Sequence, residues 1–245
     1  MPLEVLMGRG WNALEHGHVD GWELRFAAGV TQRANSVLPL AAPADVDKAI
    51  AEVERRCAER WLNSVFQIGP GAQPSDLDER LAAKGYSVGS PTLVQMMGAG
   101  ELQRFADIPA DDRIELSEKP SAEWLEFFWS IEGPHDPGDR AISAQILRGT
   151  PSVYGELRVD GRIESIGRMA LVDGFGGIYC VLTRPESRGH GYSRQVMESL
   201  LGEAWTRELN GLWLQVRESN IGAIVLYDSL GFNTVSSYHY RTREL

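Results

Sequence analysis

Residues Ile178–Ser193 read IYCVLTRPESRGHGYS. Ile178–Thr183 is an apolar run with β-branched residues, the pattern of a buried strand. Pro185 breaks it, Arg188-Gly189-His190-Gly191 forms a glycine turn, and a long helical pattern starts at about Gly191 and runs to Glu208. A strand, a glycine turn and a helix start make an anion site. The glycines let backbone N–H groups converge, and the helix end adds partial positive charge. Arg184, Arg188 and Arg194 bring positive charge to a chain that is otherwise acidic. The turn does not fit a dinucleotide fingerprint, because Arg194 stands at the third glycine position of G-x-G-x-x-G. The Gly-Lys-Ser/Thr of a phosphate-binding P-loop is also absent. Taken alone, the turn can also be read as a plain tight turn.

A second motif lies downstream. Asn220–Phe232 reads NIGAIVLYDSLGF. On a helix Asn220, Ala223 and Tyr227 share one stripe, and the small Gly222 and Ala223 leave room for a ligand to pass close to the backbone. Singly, Asn220 reads equally well as a helix cap and Tyr227 as a packed aromatic.

Together the two motifs resemble the GNAT superfamily of N-acetyltransferases, whose pyrophosphate loop has the pattern Arg/Gln-x-x-Gly-x-Gly/Ala. The chain gives Arg188-x-x-Gly191-x-Ser193, departing at the sixth position, where the small serine still fits. The family's later Asn, Ala, Tyr and Leu-Gly-Phe fall on Asn220, Ala223, Tyr227 and Leu230-Gly231-Phe232. The resemblance implies an α/β (α+β) mixed-sheet GNAT fold. It also implies acetyl-CoA as cosubstrate without a metal, and direct attack of an acceptor amine on the thioester. By the same resemblance Arg188, Gly189, His190, Gly191, Tyr192 and Ser193 would hold the pyrophosphate. The backbone of Val181, Leu182 and Thr183 would pair with the pantetheine arm, with a Val181 N–H polarising the thioester carbonyl. Asn220 would contact the coenzyme, and Tyr227 would protonate the leaving thiolate. The expected acceptor is the primary amine of a small molecule, with a protein lysine or N-terminus as the alternative. A CoA-binding sensor that performs no catalysis is the alternative of another class. No general base stands out. Glu164 and Asp173 are candidates, and Cys180 reads as a core cysteine rather than a nucleophile. The loop holding Glu132, His135 and Asp136 is where the family selects its acceptor.

Outward from these motifs, Ser121 caps a helix over Ala122–Ile131, which Pro134, Pro137 and Gly138 end. Arg140–Arg148 reads as a helix, and Ser152–Val159, Glu164–Leu171 and Gly177–Thr183 as strands, with a hairpin at Asp160-Gly161. Leu212–Arg217 and Asn233–Arg241 read as strands around a helix at Ile221–Leu230. In the first half, Gly21–Gly29 and Arg33–Leu40 read as strands and Asp45–Arg60 as a helix with apolar Val46, Ile50, Val53 and Cys57. Asn63–Ile68 is then a strand, Asp76–Lys84 a helix, and Tyr86–Met97 a strand. Leu81-Ala-Ala-Lys-Gly85-Tyr86 echoes Tyr227-Asp-Ser-Leu-Gly231-Phe232, and the elements around both keep the same order. The expected organisation is therefore a tandem: a degenerate GNAT-like domain over 1–105, a polar linker over 106–120, and the coenzyme-binding domain over 121–245. The first domain lacks an Arg-x-x-Gly-x loop near Pro43-Ala44-Asp45. Its Trp22, Arg25, Arg33 and Asn35 are candidates to wall the acceptor pocket.

The bulk properties agree with this reading. The chain has 245 residues, 43% hydrophobic and 24% charged, enough for a sizeable core without staples. A net charge of −10 argues against a nucleic-acid partner. Two cysteines, Cys57 and Cys180, make neither a disulfide framework nor a zinc pattern. No signal-peptide run and no span of about 18 apolar residues is present, so no membrane partner is expected. The expectation is a cytoplasmic monomer or homodimer.

Overall fold

The computed structural model describes residues 2–109 and 111–245. By its internal contacts the chain forms two compact units. The first contains residues up to Val94 together with Val216–Asn220 and Thr234–Leu245; the second contains Gln95–Gln215 and Ile221–Asn233.

The elements run in order as α1 (Leu3–Gly10), β1 (Glu15–Val19), β2 (Trp22–Phe26), β3 (Val37–Pro39), α2 (Val46–Ala58), β4 (Ser64–Ile68), α3 (Leu77–Ala83) and β5 (Ser87–Gly98). After these come α4 (Ala99–Leu102), β6 (Ile114–Ser117), α5 (Ala122–Ile131), α6 (Pro137–Arg148), β7 (Ser152–Val159), β8 (Arg162–Val172) and β9 (Phe175–Thr183). Then α7 (Tyr192–Thr206), β10 (Gly211–Arg217), α8 (Ile221–Leu230) and β11 (Asn233–Arg243) complete the chain.

In the first unit β1, β2 and β3 are antiparallel neighbours, and β3 pairs in parallel with β4 through Val37↔Phe66. The last strand of the chain closes this sheet: β11 lies antiparallel to β4, from His239↔Ile68 to Arg243↔Ser64. Helix α2 fulfils its apolar spacing by burying Ile50, Val53 and Cys57 against Trp22, Leu24 and Phe66. Trp22 and Tyr86 meet the Phe66 ring edge-on, at 5.4 and 5.7 Å between centroids.

In the second unit β6, β7, β8 and β9 form an antiparallel run, and β10 joins β9 in parallel. The Asp160-Gly161 hairpin has both residues at positive φ, 50° and 78°, as a two-residue turn of that composition requires. Helix α7 buries Val196, Met197, Leu200 and Leu201, each worth roughly 1.5–3 kcal/mol when fully removed from water. It lies close to the sheet because Gly167 is bare. A Cβ there would stand 3.0 Å from Leu200 Cδ1 and from Val196 Cγ1. This close seat fixes where the start of α7 meets the end of β9.

The units repeat one order: a strand, its antiparallel neighbour, a helix, a parallel strand, a second helix. In the first unit these are β2, β3, α2, β4 and α3; in the second, β8, β9, α7, β10 and α8. The echoed hexapeptides close their helices with the same bond, Tyr86 N donating to Leu81 O at 3.0 Å and Phe232 N to Tyr227 O at 3.1 Å. Gly85 and Gly231 supply the positive φ in each.

Four elements differ from the sequence reading. The stretch read as a linker carries strand β6, with Leu116 paired to Gly155. Helix α6 starts at Pro137 rather than Arg140, because Asp136 caps it and proline suits a first helical position. Helix α1 and strand β1 carry no periodic signal. Half of α1's residues are exposed or part-exposed, and β1 is the polar, largely exposed stretch Glu-His-Gly-His-Val.

Candidate active site

The site lies in the second unit, where β9 leaves its neighbours. Ile166 pairs with Leu182, but the next pair is Arg168 with Tyr179, so Gly167 faces both Cys180 and Val181. That is a β-bulge, and Cys180 takes the left-handed φ of 54° that opens it. A bulge interrupts the regular ladder and sets two residues, Cys180 and Val181, against one on the neighbouring strand. Both residues are half-buried in an otherwise buried stretch. On the other side, β9 and β10 pair from Leu212↔Gly176 to Leu214↔Ile178, and the register ends there among the described residues. The bulge therefore sits where β9 parts from β10.

The glycine turn follows. Gly189 and Gly191 have φ of 83° and 79°, and a Cβ at either would meet nothing within 4 Å. Gly191 is the cap residue of α7 and no side chain caps the helix, so its first N–H groups face outward. Arg188, Gly189, His190 and Gly191 are exposed. His190 stacks on Tyr192 at 5.5 Å between ring centroids, and its Nδ1 donates to Ser187 O at 3.2 Å. The two glycines, the uncapped helix end and the outward Arg188 form a cradle that fits a pyrophosphate. Ser193, the departure from the family pattern, is bonded to the strand below: its hydroxyl lies 2.6 Å from Thr183 Oγ1.

Of the other two arginines, Arg184 is turned away from the cradle. Its Nε donates to Ile163 O at 2.7 Å and its guanidinium lies 4.7 Å from the centre of the Phe127 ring. Arg194 pairs with Glu198 at 3.5 Å and bonds Ser229 Oγ.

Tyr227 is 8% exposed on α8, packed edge-on to Phe232 at 6.2 Å. Burial raises its pKa above the ordinary phenol value, and the nearby Glu132 carboxylate and Cys180 thiol raise it further. The phenol is therefore held neutral, within electrostatic reach of the bulge residue Cys180. Val181, Leu182, Thr183, the Arg188–Ser193 turn and Tyr227 all belong to the second unit. Asn220 directly precedes α8, is exposed, donates its N–H to Arg217 O at 2.9 Å, and belongs by its contacts to the first unit.

The candidate bases separate. Asp173 occupies the β8–β9 hairpin, seven residues and about 23 Å of strand from Cys180. Glu164 is 7% exposed, accepts from Ser187 Oγ at 2.6 Å, and lies 3.6 and 3.9 Å from the guanidinium groups of Arg162 and Arg184. Asp136 is spent as a cap on Gly138 N at 2.8 Å. Glu132, at the end of α5, was not distinguished from its loop by the sequence. Only the fold brings its carboxylate within electrostatic reach of Tyr227. In the first unit, Trp22 is buried and donates to Gln73 O at 2.9 Å. Arg25 is buried against Ser36 and Gln67, and Asn35 braces the turn at Ala27–Thr31. Arg33 lies over the Trp11 ring at 5.4 Å.

Comparison with known proteins adds to this geometry. A family model described as "Probable histone acetyltransferase Rv0428c C-terminal" matches residues 2–243. The chain is 26% identical over 242 residues to the uncharacterized N-acetyltransferase YobR of Bacillus subtilis, covering 98% of this chain and 97% of that one. It is 32% identical over 139 residues to the ribosomal protein bS18-alanine N-acetyltransferase of Escherichia coli, covering 54% of this chain and 86% of that one. Among solved structures, a GCN5-related N-acetyltransferase from Kribbella flavida superposes with a TM-score of 0.72 at 16% identity, covering 98% and 93% of the two chains.

Proposed function

The chain belongs to the acetyltransferase family matched over residues 2–243, within the GNAT superfamily, and on that premise we propose that it transfers an acetyl group from acetyl-CoA to the primary amine of a small molecule. The observation that carries the proposal is the meeting of a strand bulge with a neutral, buried tyrosine: Cys180 and Tyr227 lie within electrostatic reach of each other.

Acetyl-CoA, when bound, supplies the acyl thioester that the amine attacks. Arg188 and the N–H groups at the start of α7 hold the pyrophosphate, with Gly189 and Gly191 letting the backbone approach. The edge of β9 at Val181–Thr183 takes the pantetheine arm, and the Val181 N–H holds the thioester carbonyl oxygen. Tyr227 gives its proton to the departing sulfur, which its raised pKa suits because the phenol is fully protonated at neutral pH. Glu132, exposed beside Tyr227, offers a negative charge to an incoming ammonium, which gives one proton to solvent before it attacks; the second nitrogen proton, lost after the attack, restores the Tyr227 phenol. The first 105 residues make a degenerate first copy of the fold. Its Leu81 stands where the second copy has Tyr227, so it has no leaving-group acid.

A second reading has a specific motive. The printed descriptions of the matched family and of the Escherichia coli relative name a histone and a ribosomal protein as substrates of those proteins. One screen separates the readings: free CoA release is followed over a panel of small amines and of peptides with free N-termini or lysines. Turnover confined to small amines is the expected result, and turnover only with peptides overturns the small-molecule assignment. Acetyl-CoA binding without turnover on any amine indicates a sensor. With the accepted amine in hand, Tyr227→Phe is expected to lower kcat by about a hundredfold while leaving acetyl-CoA affinity nearly intact. An unchanged kcat removes Tyr227 from the mechanism.

A further inference from the structure

Both ends of the glycine turn are tied to two consecutive residues of β8, Glu164 and Ser165. At the entrance, the buried Glu164 carboxylate accepts from Ser187 Oγ at 2.6 Å, and the Glu164 carbonyl accepts from Arg184 N at 3.0 Å. Arg162 and Arg184 flank the same carboxylate, so its charge is compensated although it is 7% exposed. Ser187 is the last residue before Arg188, and its carbonyl in turn receives the His190 ring, which stacks on Tyr192.

At the exit, the tie is a chain of hydroxyls whose direction follows from counting protons. Ser165 Oγ donates to Leu182 O at 2.9 Å, because a carbonyl can only accept. Its one proton being used, the 2.9 Å contact with Thr183 Oγ1 must be donated by Thr183. Thr183 has then no proton left for Ser193, so Ser193 donates across the 2.6 Å contact. Ser193 therefore offers an incoming anion its backbone N–H and not its hydroxyl proton. Successive residues of a strand point to opposite faces, which is how two neighbours reach both ends of one loop.

We propose that Glu164 and Ser165 are positioning residues that clamp the coenzyme turn at both ends, and that Glu164 is not the general base. The proposal rests on the coenzyme reading above. A pre-set loop binds more tightly because less order is lost on binding.

The test uses the full chain, with calorimetric acetyl-CoA affinity and a KM–kcat split over pH. Ser187→Ala removes the donor to Glu164 and leaves the carboxylate in place. It is expected to weaken acetyl-CoA binding and raise its KM by about three- to tenfold with kcat within about twofold. Ser187→Thr, which keeps the hydroxyl, is expected to restore both. Glu164→Gln keeps an acceptor oxygen but loses the charge that faces Arg162 and Arg184, and is expected to raise the KM for acetyl-CoA while leaving the shape of the kcat pH profile unchanged. A hundredfold loss of kcat in Glu164→Gln, with loss of the acidic limb, overturns the proposal in favour of a base. Wild-type affinity in Ser187→Ala overturns the clamp. Should Glu164→Gln not fold, Ser187→Ala tests the clamp alone, since Ser187 is part-exposed. A wild-type protein that binds no acetyl-CoA fails the coenzyme reading and the clamp together, whereas normal wild-type binding with an unaffected Ser187→Ala fails only the clamp.

Discussion

Tyr227 owes its raised pKa to where it is buried rather than to what precedes it in the chain. Burial and the Glu132 carboxylate both disfavour the phenolate, so its pKa moves up and the proton stays on through neutral and moderately alkaline pH. The expected pH profile of kcat accordingly shows no alkaline fall from Tyr227 below about pH 10, the ordinary phenol value. Glu132→Gln removes one raising influence and is expected to shift any such fall to lower pH; an unmoved profile separates Glu132 from Tyr227. Gly191 makes the second prediction at this scale. Its φ of 79° strains any other residue, by about 1–2 kcal/mol, and in the proposed coenzyme site it lies where the helix end would meet the pyrophosphate. Gly191→Glu adds a like charge there and is expected to abolish acetyl-CoA binding, whereas normal affinity by calorimetry removes the turn from the coenzyme site. Both residues were legible as members of spaced motifs. Glu132 and Glu164 were not, because their partners lie 95 and 23 residues away and only the packing of α5, β8 and the turn brings them together.

At the scale of elements, the two helices that follow the inner strands start in opposite ways. Helix α7 begins on a bare glycine, with no side chain over its first N–H groups. Helix α2 is closed by carboxylates: Asp45 accepts from Lys48 N at 3.1 Å, and Asp20 accepts from Ala44 N at 2.6 Å. A carboxylate that already occupies the helix end satisfies its donors and repels a phosphate. One acetyl-CoA per chain is therefore expected, and a calorimetric stoichiometry near two refutes the contrast between the helices. The long periodic elements α2, α5, α7 and α8 were readable to within a few residues, since apolar spacing and caps define them locally. Strand β6 escaped because its apolar–polar alternation, Ile-Glu-Leu-Ser, lasts only four residues within a polar stretch, and its pairing with β7 is a tertiary event. The bulge escaped for a like reason: it is a mismatch between two strands, which neither strand records alone.

At the scale of the molecule, the repeated order of elements was visible in the echo of two hexapeptides, but the partner of β4 was not. That partner is β11, and side chains reinforce the pairing. Asp78 on α3 accepts from Arg241 Nε at 2.7 Å and contacts His239 Nε2 at 2.8 Å. Arg241 and His239 hold the Asp78 carboxyl down to about 2 from its ordinary 3.8. A depressed carboxyl contributes stability above its unfolded value, and that contribution is lost as pH falls through the folded one. Asp78→Asn is expected to cost about 1 kcal/mol at pH 7, a value kept small because the carboxylate is partly exposed, and to cost little near pH 2. Urea unfolding at the two pH values measures this, and an equal cost at both refutes the linkage.

The pairing of β11 with β4 has a consequence for how the protein is made. The ribosome releases Ser64–Ile68 well before Asn233–Arg243, so the sheet of the first unit waits on a strand made after the second unit's own strands. Until β11 is made, β4 lacks that neighbour and presents an open edge of N–H and C=O groups, the kind of edge that recruits strands from other chains. The nascent chain is thus vulnerable for as long as it takes to make the residues between β4 and β11, and a ribosome stalled before β11 leaves a product whose first sheet cannot close.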